Sequence, residues 1–161
     1  MDSKVEMYSK RARSEIDSAS ILFRASGERN VKDVLSIGKE ETFYSGVISH
    51  AYYAIFYCAK AMLLTKGVVT EPPEVHKKTF EKFKVTFIDS GMLDAKLLII
   101  YRELIVRAET LLEIYKRERK KRGDFTYNTI PQANKAPAEE SINHAKTFFK
   151  HCDAYLSEWV R

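Results

Sequence analysis

The stretch Phe43-Tyr44-Ser45-Gly46-Val47-Ile48-Ser49-His50-Ala51-Tyr52-Tyr53-Ala54-Ile55-Phe56-Tyr57-Cys58-Ala59-Lys60-Ala61-Met62-Leu63-Leu64-Thr65-Lys66 decides the fold. Almost every residue in it favours a helix. At about 100° per residue, Val47, Ile48, Ala51, Ile55, Cys58, Ala59, Met62 and Leu63 cover about half of its circumference. A helix this apolar has to be central, because water would otherwise meet too much of it. Its other side carries Gly46, His50, Tyr53, Tyr57 and Lys60, a polar and aromatic stripe. His50, Tyr53 and Tyr57 are the residues expected at an interface with a second copy, while Tyr52 points toward the core edge.

Working outward, Ser3-Lys4-Val5-Glu6 has the form of a capping box, and Val5, Tyr8, Ala12, Ile16, Ala19 and Phe23 then recur at helical steps until Gly27. Residues 28 to 42 show weak periodicity around Val31, Val34, Leu35 and Ile37 and read as a long connection with at most a helical turn. After Gly67 and Pro72-Pro73, the residues His76, Phe80, Phe83 and Phe87 mark a shorter helix ending near Gly91, with His76 capping or buried at its start. From about Asp94 to Lys121, the heptad sets Leu97/Leu104/Leu111, Leu98/Ile105/Leu112 and Tyr101/Ala108/Tyr115 form three adjoining stripes, which suit a bundle. Pro137 opens a last helix with Glu139 and Glu140 in its positive first turn, and Ile142, Ala145, Phe149, Cys152, Leu156 and Trp159 face the core. The expected fold is all-α, an antiparallel up-and-down four-helix bundle with one additional short helix, residues 1–161 making a single domain.

With 45% hydrophobic and 30% charged residues, the chain is too apolar for disorder. No apolar run approaches the roughly 18 residues of a membrane span, and Met1-Asp2-Ser3-Lys4 lacks the apolar stretch of a signal peptide, so no membrane partner and a cytoplasmic location are expected. Cys58 and Cys152 form no CxxC pair and read as small core residues. His50, His76, His144 and His151 show no ligand motif such as HExxH, with His144 and His151 on the exposed side of the last helix. Neither a metal nor a cofactor is expected.

Charge is distributed unevenly. Lys116-Arg117-Glu118-Arg119-Lys120-Lys121-Arg122 holds six of the 27 basic residues and one of the 22 acids, so the net charge of +5 resides in this one segment. Cations near a helix C-terminus can simply offset its dipole. Six in seven residues exceed that need, and they adjoin Phe125 and Tyr127, rings able to stack on bases. Nucleotide or RNA binding through Lys116, Arg117, Arg119, Lys120, Lys121, Arg122, Phe125 and Tyr127 is therefore expected. Metal-free RNA cleavage would need a base, an acid and a cation. Arg119 or Arg122 could be the cation and Asp124 the base, but an Asp held ionised among arginines is a poor acid and is better read as structural.

The segment Tyr44 to Ala61, with Ser49-His50-Ala51-Tyr52-Tyr53-Ala54 at its centre, resembles the S-R-A-Y-Y-A-x-F-x-A-x-x-A pattern of small prokaryotic HEPN-domain proteins. His76 with its Phe-rich helix, Ser90-Gly91-Met92-Leu93 and Arg122-Gly123-Asp124-Phe125 are similar to the family's His…F…G-x-L segment and R-x-A-D-Y region. The resemblance implies a helical bundle, dimerisation, association with nucleotide or RNA, and a nucleotidyltransferase as partner. Several branches are metal-independent RNases with an R-x4-6-H motif. Here Arg119 is followed by Asp124 and Arg122 by Tyr127 where His would stand, and His50 occupies a position where many relatives carry Arg. The expected function is thus that of a dimeric HEPN-like binding partner. The alternative is an atypical RNase, the toxin of a toxin–antitoxin pair, with Arg122 and Asp124 at a dimer cleft.

Overall fold

The structure is a computed structural model that describes residues 3–120 and 135–160, with the backbone alone over 114–120. It is all-α. In chain order the helices are α1 (Ser3–Gly27), α2 (Arg29–Val34), α3 (Tyr44–Thr65), α4 (Val75–Phe83, continued by a π-helical turn over Lys84–Ile88), α5 (Lys96–Lys120) and α6 (Lys135–Val160). Among the described residues four helices are long and two short, where one short helix was expected. The missed helix, α2, lacks an apolar face because its inward side chain is a lysine. Lys32 is buried, and its ammonium donates to the carbonyls of Lys39 (2.7 Å) and Glu41, tying the following loop to the helix.

Contacts between helices fix their directions. Tyr8 stacks on Tyr57 and Phe23 meets Tyr44, so α1 and α3 run antiparallel. Tyr101 meets Phe148 while Arg107 bonds Glu140, so α5 and α6 do as well. By contrast, α3 and α6 run in the same direction: Thr65 contacts Tyr155 at one end, and Val47 and Ile48 share an apolar cluster with Ile142 and Ala138 at the other.

All eight residues expected on the apolar side of α3 are buried, and Ala54, Phe56 and Ala61 are buried as well. The helix is contacted from more than half its circumference, by α1, α4, α5 and α6. By length and composition α3 could cross a membrane, contrary to the expectation that no apolar run reaches that size. Its own chain covers 67% of the stretch, so it is a core helix. Small residues are buried on both helices, Ala12 and Ala19 on α1 and Ala51 and Ala54 on α3. At Gly46 the approach is tightest, since a Cβ there would stand 2.8 Å from Leu22 Cδ1.

On this α1-facing side lies half of the polar stripe. Glu15 is buried and accepts from Arg11 Nε (2.9 Å) and pairs with His50 Nδ1. That arrangement lets a carboxylate sit between two helices with both oxygens engaged.

In α6 the buried ring is Phe148, packed on Phe83 (5.4 Å between centroids) and Tyr101 (5.7 Å). Phe149 is only half-buried beneath the Arg13 guanidinium (5.0 Å), and Trp159 is 41% exposed, so both corrections to the expected core face come from the same helix. Cys58 and Cys152 are buried free thiols that face each other. Burial and the hydrogen bond that the Cys152 thiol makes to Cys58 push the Cys152 thiol up, so it acts as a packing group rather than a nucleophile.

Candidate functional site

The connection from α3 to α4 sets the site. Gly67 takes a left-handed turn (φ +70°) that reverses the chain, and Lys60 Nζ of α3 donates to the Thr70 carbonyl (3.0 Å). The buried hydroxyls of Thr70 and Thr79 bond each other at 2.8 Å, fastening this loop to α4. As a result His76, in the first turn of α4, lies over α3. Its ring stacks on Phe56 (4.3 Å between centroids), and its Nδ1 is 2.7 Å from the Tyr52 hydroxyl. Tyr53 stands edge-on to Tyr52 (5.4 Å) and to His76 (5.9 Å).

Together with the facing side of α5, these rings enclose a cavity of about 640 Å³. Its α5 wall carries Arg102, Ile105, Ala108, Glu109 and Leu112, the helical spacing of one face. The Arg102 guanidinium sits over the Phe80 ring at 5.6 Å, and exposed Lys77 adds a second cation. Among the described residues neither Arg102 nor Glu109 forms an ion pair. Burial pushes the Tyr52 phenol well above its ordinary range, with Tyr53 and Glu109 adding to the effect, so Tyr52 stays neutral. Burial, then the nearby Lys60 ammonium, lowers His76 below the usual imidazole range. Such a cavity can hold a flat ring between aromatic faces and attract an anionic group beside it.

Of the residues expected at an interface with a second copy, Tyr53 instead lines this cavity and is 39% exposed. The other two expected interface residues, His50 and Tyr57, are engaged by α1, His50 with Glu15 and Tyr57 with Tyr8 and Arg11. The backbone of α5 continues beyond Leu112 through Lys116, Arg117, Arg119 and Lys120, whose side chains lie outside the described residues, as do Lys121, Arg122, Asp124, Phe125 and Tyr127 altogether. His76, expected as a cap or a buried residue, is instead exposed and stacked, and Arg102 carried no expectation. The signal for the latter was its position seven residues before Glu109, which puts a cation and an acid on one helix face.

A second group could hold a metal ion: Glu103, Glu140 and His144 bring donor atoms within 4.8 Å of one another. Arg107 donates to Glu140 (2.8 Å) and so already supplies this cluster with positive charge.

Comparison with known proteins places these features in context. The family described as HEPN domain matches over residues 28–155. Two relatives from Methanocaldococcus jannaschii are similar over shorter stretches. The one named "Putative toxin MJ0142" is 40% identical over 55 residues, 34% of this chain and 35% of the relative. The one named "Putative toxin MJ0605" is 33% identical over 72 residues, 45% of this chain and 48% of the relative. "UPF0332 protein PH1297" of Pyrococcus horikoshii is 40% identical over 47 residues, 29% of this chain and 31% of the relative. The chain thus spans 31% to 48% of the length of these relatives. No solved structure matches.

Proposed function

The chain belongs to the HEPN-domain family, and from that premise we propose that it is a single-domain cytoplasmic binding partner that takes nucleotide or single-stranded RNA. In this reading a base enters the α3/α4/α5 cavity and the phosphates run toward the basic end of α5. The observation that carries it is the convergence of Tyr52, Tyr53 and His76, residues from two of the segments that carry the family resemblance, on one cavity with Arg102 and Lys77. Aromatic faces beside cations are what a nucleotide requires. Leu112 of the cavity wall is followed one helical turn later by Lys116, where the chain's excess positive charge begins. Pairing of two copies and docking of a nucleotidyltransferase belong to the same reading. Ile99 and Val106, one heptad apart on α5 and each more than half exposed, offer an apolar surface for the former.

The toxin names of the two Methanocaldococcus relatives favour a second reading, an RNase. The sequence argues against it: Arg119 is followed by Asp124 and Arg122 by Tyr127 where the R-x4-6-H motif has His. The 2.7 Å hydrogen bond between the Tyr52 hydroxyl and His76 Nδ1 can run in either direction, so it assigns His76 no fixed role as base or acid.

Fluorescence anisotropy with a labelled ten-nucleotide RNA tests the binding reading. Tyr53→Ala and Arg102→Ala are each expected to weaken binding about tenfold, the cost of one lost stacking or cationic contact, with unchanged circular dichroism. Wild-type affinity in both variants would overturn it.

A further inference from the structure

Resting on that reading, we propose that the α3/α4/α5 cavity is selective for guanine, recognised between Arg102 and Glu109 of α5. These two side chains are the charged groups of the α5 wall, seven residues and therefore about 10 Å apart along one face. Both are uncommitted to ion pairs among the described residues, so each is available to a ligand. Arg102 is held by its contact with the Phe80 ring, which fixes the guanidinium at the wall while leaving its N–H groups unbonded.

The four bases present different edges to such a pair. An arginine fork matches two adjacent acceptors, as O6 and N7 of guanine provide. A carboxylate matches two adjacent donors and is repelled by ring nitrogens and carbonyl oxygens that point lone pairs at it. Guanine alone supplies adjacent donors, N1–H and the exocyclic N2 amine. Adenine has one exocyclic amine flanked by acceptor nitrogens, cytosine has one beside a single acceptor nitrogen and a C–H, and uracil has a single N–H between two carbonyls. The purine is also the larger ring system for the faces of Tyr53 and Phe80, and a cavity of about 640 Å³ accommodates it with its sugar. Lys77 is then the cation for the phosphate, with the His76 ring beside it.

Isothermal titration of the full chain with guanosine, adenosine, inosine, cytidine and uridine monophosphates reads the preference directly. Guanosine monophosphate is expected to bind at least about tenfold more tightly than the adenosine form, the discrimination of one bidentate pair, with inosine, which lacks the exocyclic amine, between them. Glu109→Gln, an exposed substitution that leaves the fold intact, is expected to remove the preference by weakening guanosine binding. Oligouridylate with and without one internal guanosine separates the sources. A gain from the guanosine identifies an RNA residue as ligand, and a preference confined to mononucleotides identifies the free nucleotide. Equal binding of all five monophosphates would overturn guanine selectivity while leaving nucleotide binding in place, as would a preference that survives in Glu109→Gln. Absence of binding by any of them would remove both.

Discussion

Replacing Ile55 by Asp is expected to abolish cooperative unfolding. Ile55 is wholly buried in the middle of α3, against the largest apolar cluster of the described residues. Truncating such a side chain costs about 2–5 kcal/mol, and a carboxylate in its place finds no cation within the cluster to compensate for its lost hydration. Together these exceed or match a typical total stability of about 5–15 kcal/mol. Circular dichroism during heating is the measurement: the variant should lose helix gradually or begin largely unfolded. A melt superimposable on the wild type would mean that α3 is not the helix around which the others assemble.

Replacing Arg119, Lys120, Lys121 and Arg122 together by Ala is expected to flatten the salt dependence of RNA binding. Each phosphate neutralised on a single strand contributes about 0.7 to the slope of log affinity against log salt, so four lost cations lower it by up to about 3. Between about 50 and about 200 mM salt, wild-type affinity should then fall roughly fiftyfold further than that of the variant. The reasoning needs only the location of charge: outside residues 116 to 122 the basic and acidic residues balance. Parallel slopes for the two proteins would show that phosphates are met elsewhere, with Arg102 and Lys77 the next cations to replace.

The centre of the fold is legible in the sequence because α3 is apolar over more than half of its surface, and its expected range differs from Tyr44–Thr65 by one residue at each end. Legibility fails where polar atoms do the packing. The six residues of α2 are held by the ammonium of Lys32 on two carbonyls, a contact that leaves no hydrophobic period. In α6, Phe148 and Phe149 are neighbours and each continues a plausible three-and-four spacing. Only the position of Phe83 and Tyr101 decides which is inside.

The cavity was less legible than the fold. Tyr52, Tyr53 and His76 are individually readable, but Tyr53 and His76 are 23 positions apart, and their meeting depends on the Thr70–Thr79 and Lys60–Thr70 hydrogen bonds. Those bonds involve a main-chain carbonyl and two hydroxyls that no motif marks. The aromatic stripe likewise divides in the structure. His50 and Tyr57 go to α1 through Glu15 and Tyr8, whereas Tyr53 is left at the cavity. The basic run remains the most conspicuous feature of the sequence, and it is the helix leading into it, with Arg102, Glu109 and Leu112, that the structure joins to the rings.

Labelled single-stranded RNA incubated with the protein in excess chelator separates the proposed RNA binding from RNA cleavage. A retarded complex is expected on a native gel, and denaturing electrophoresis of the same sample should return the RNA at full length, because Asp124 and Tyr127 stand where an R-x4-6-H motif would place its histidine. Cleavage products from the wild type that vanish in both Arg122→Ala and Asp124→Asn would contradict the account and make the chain an RNase.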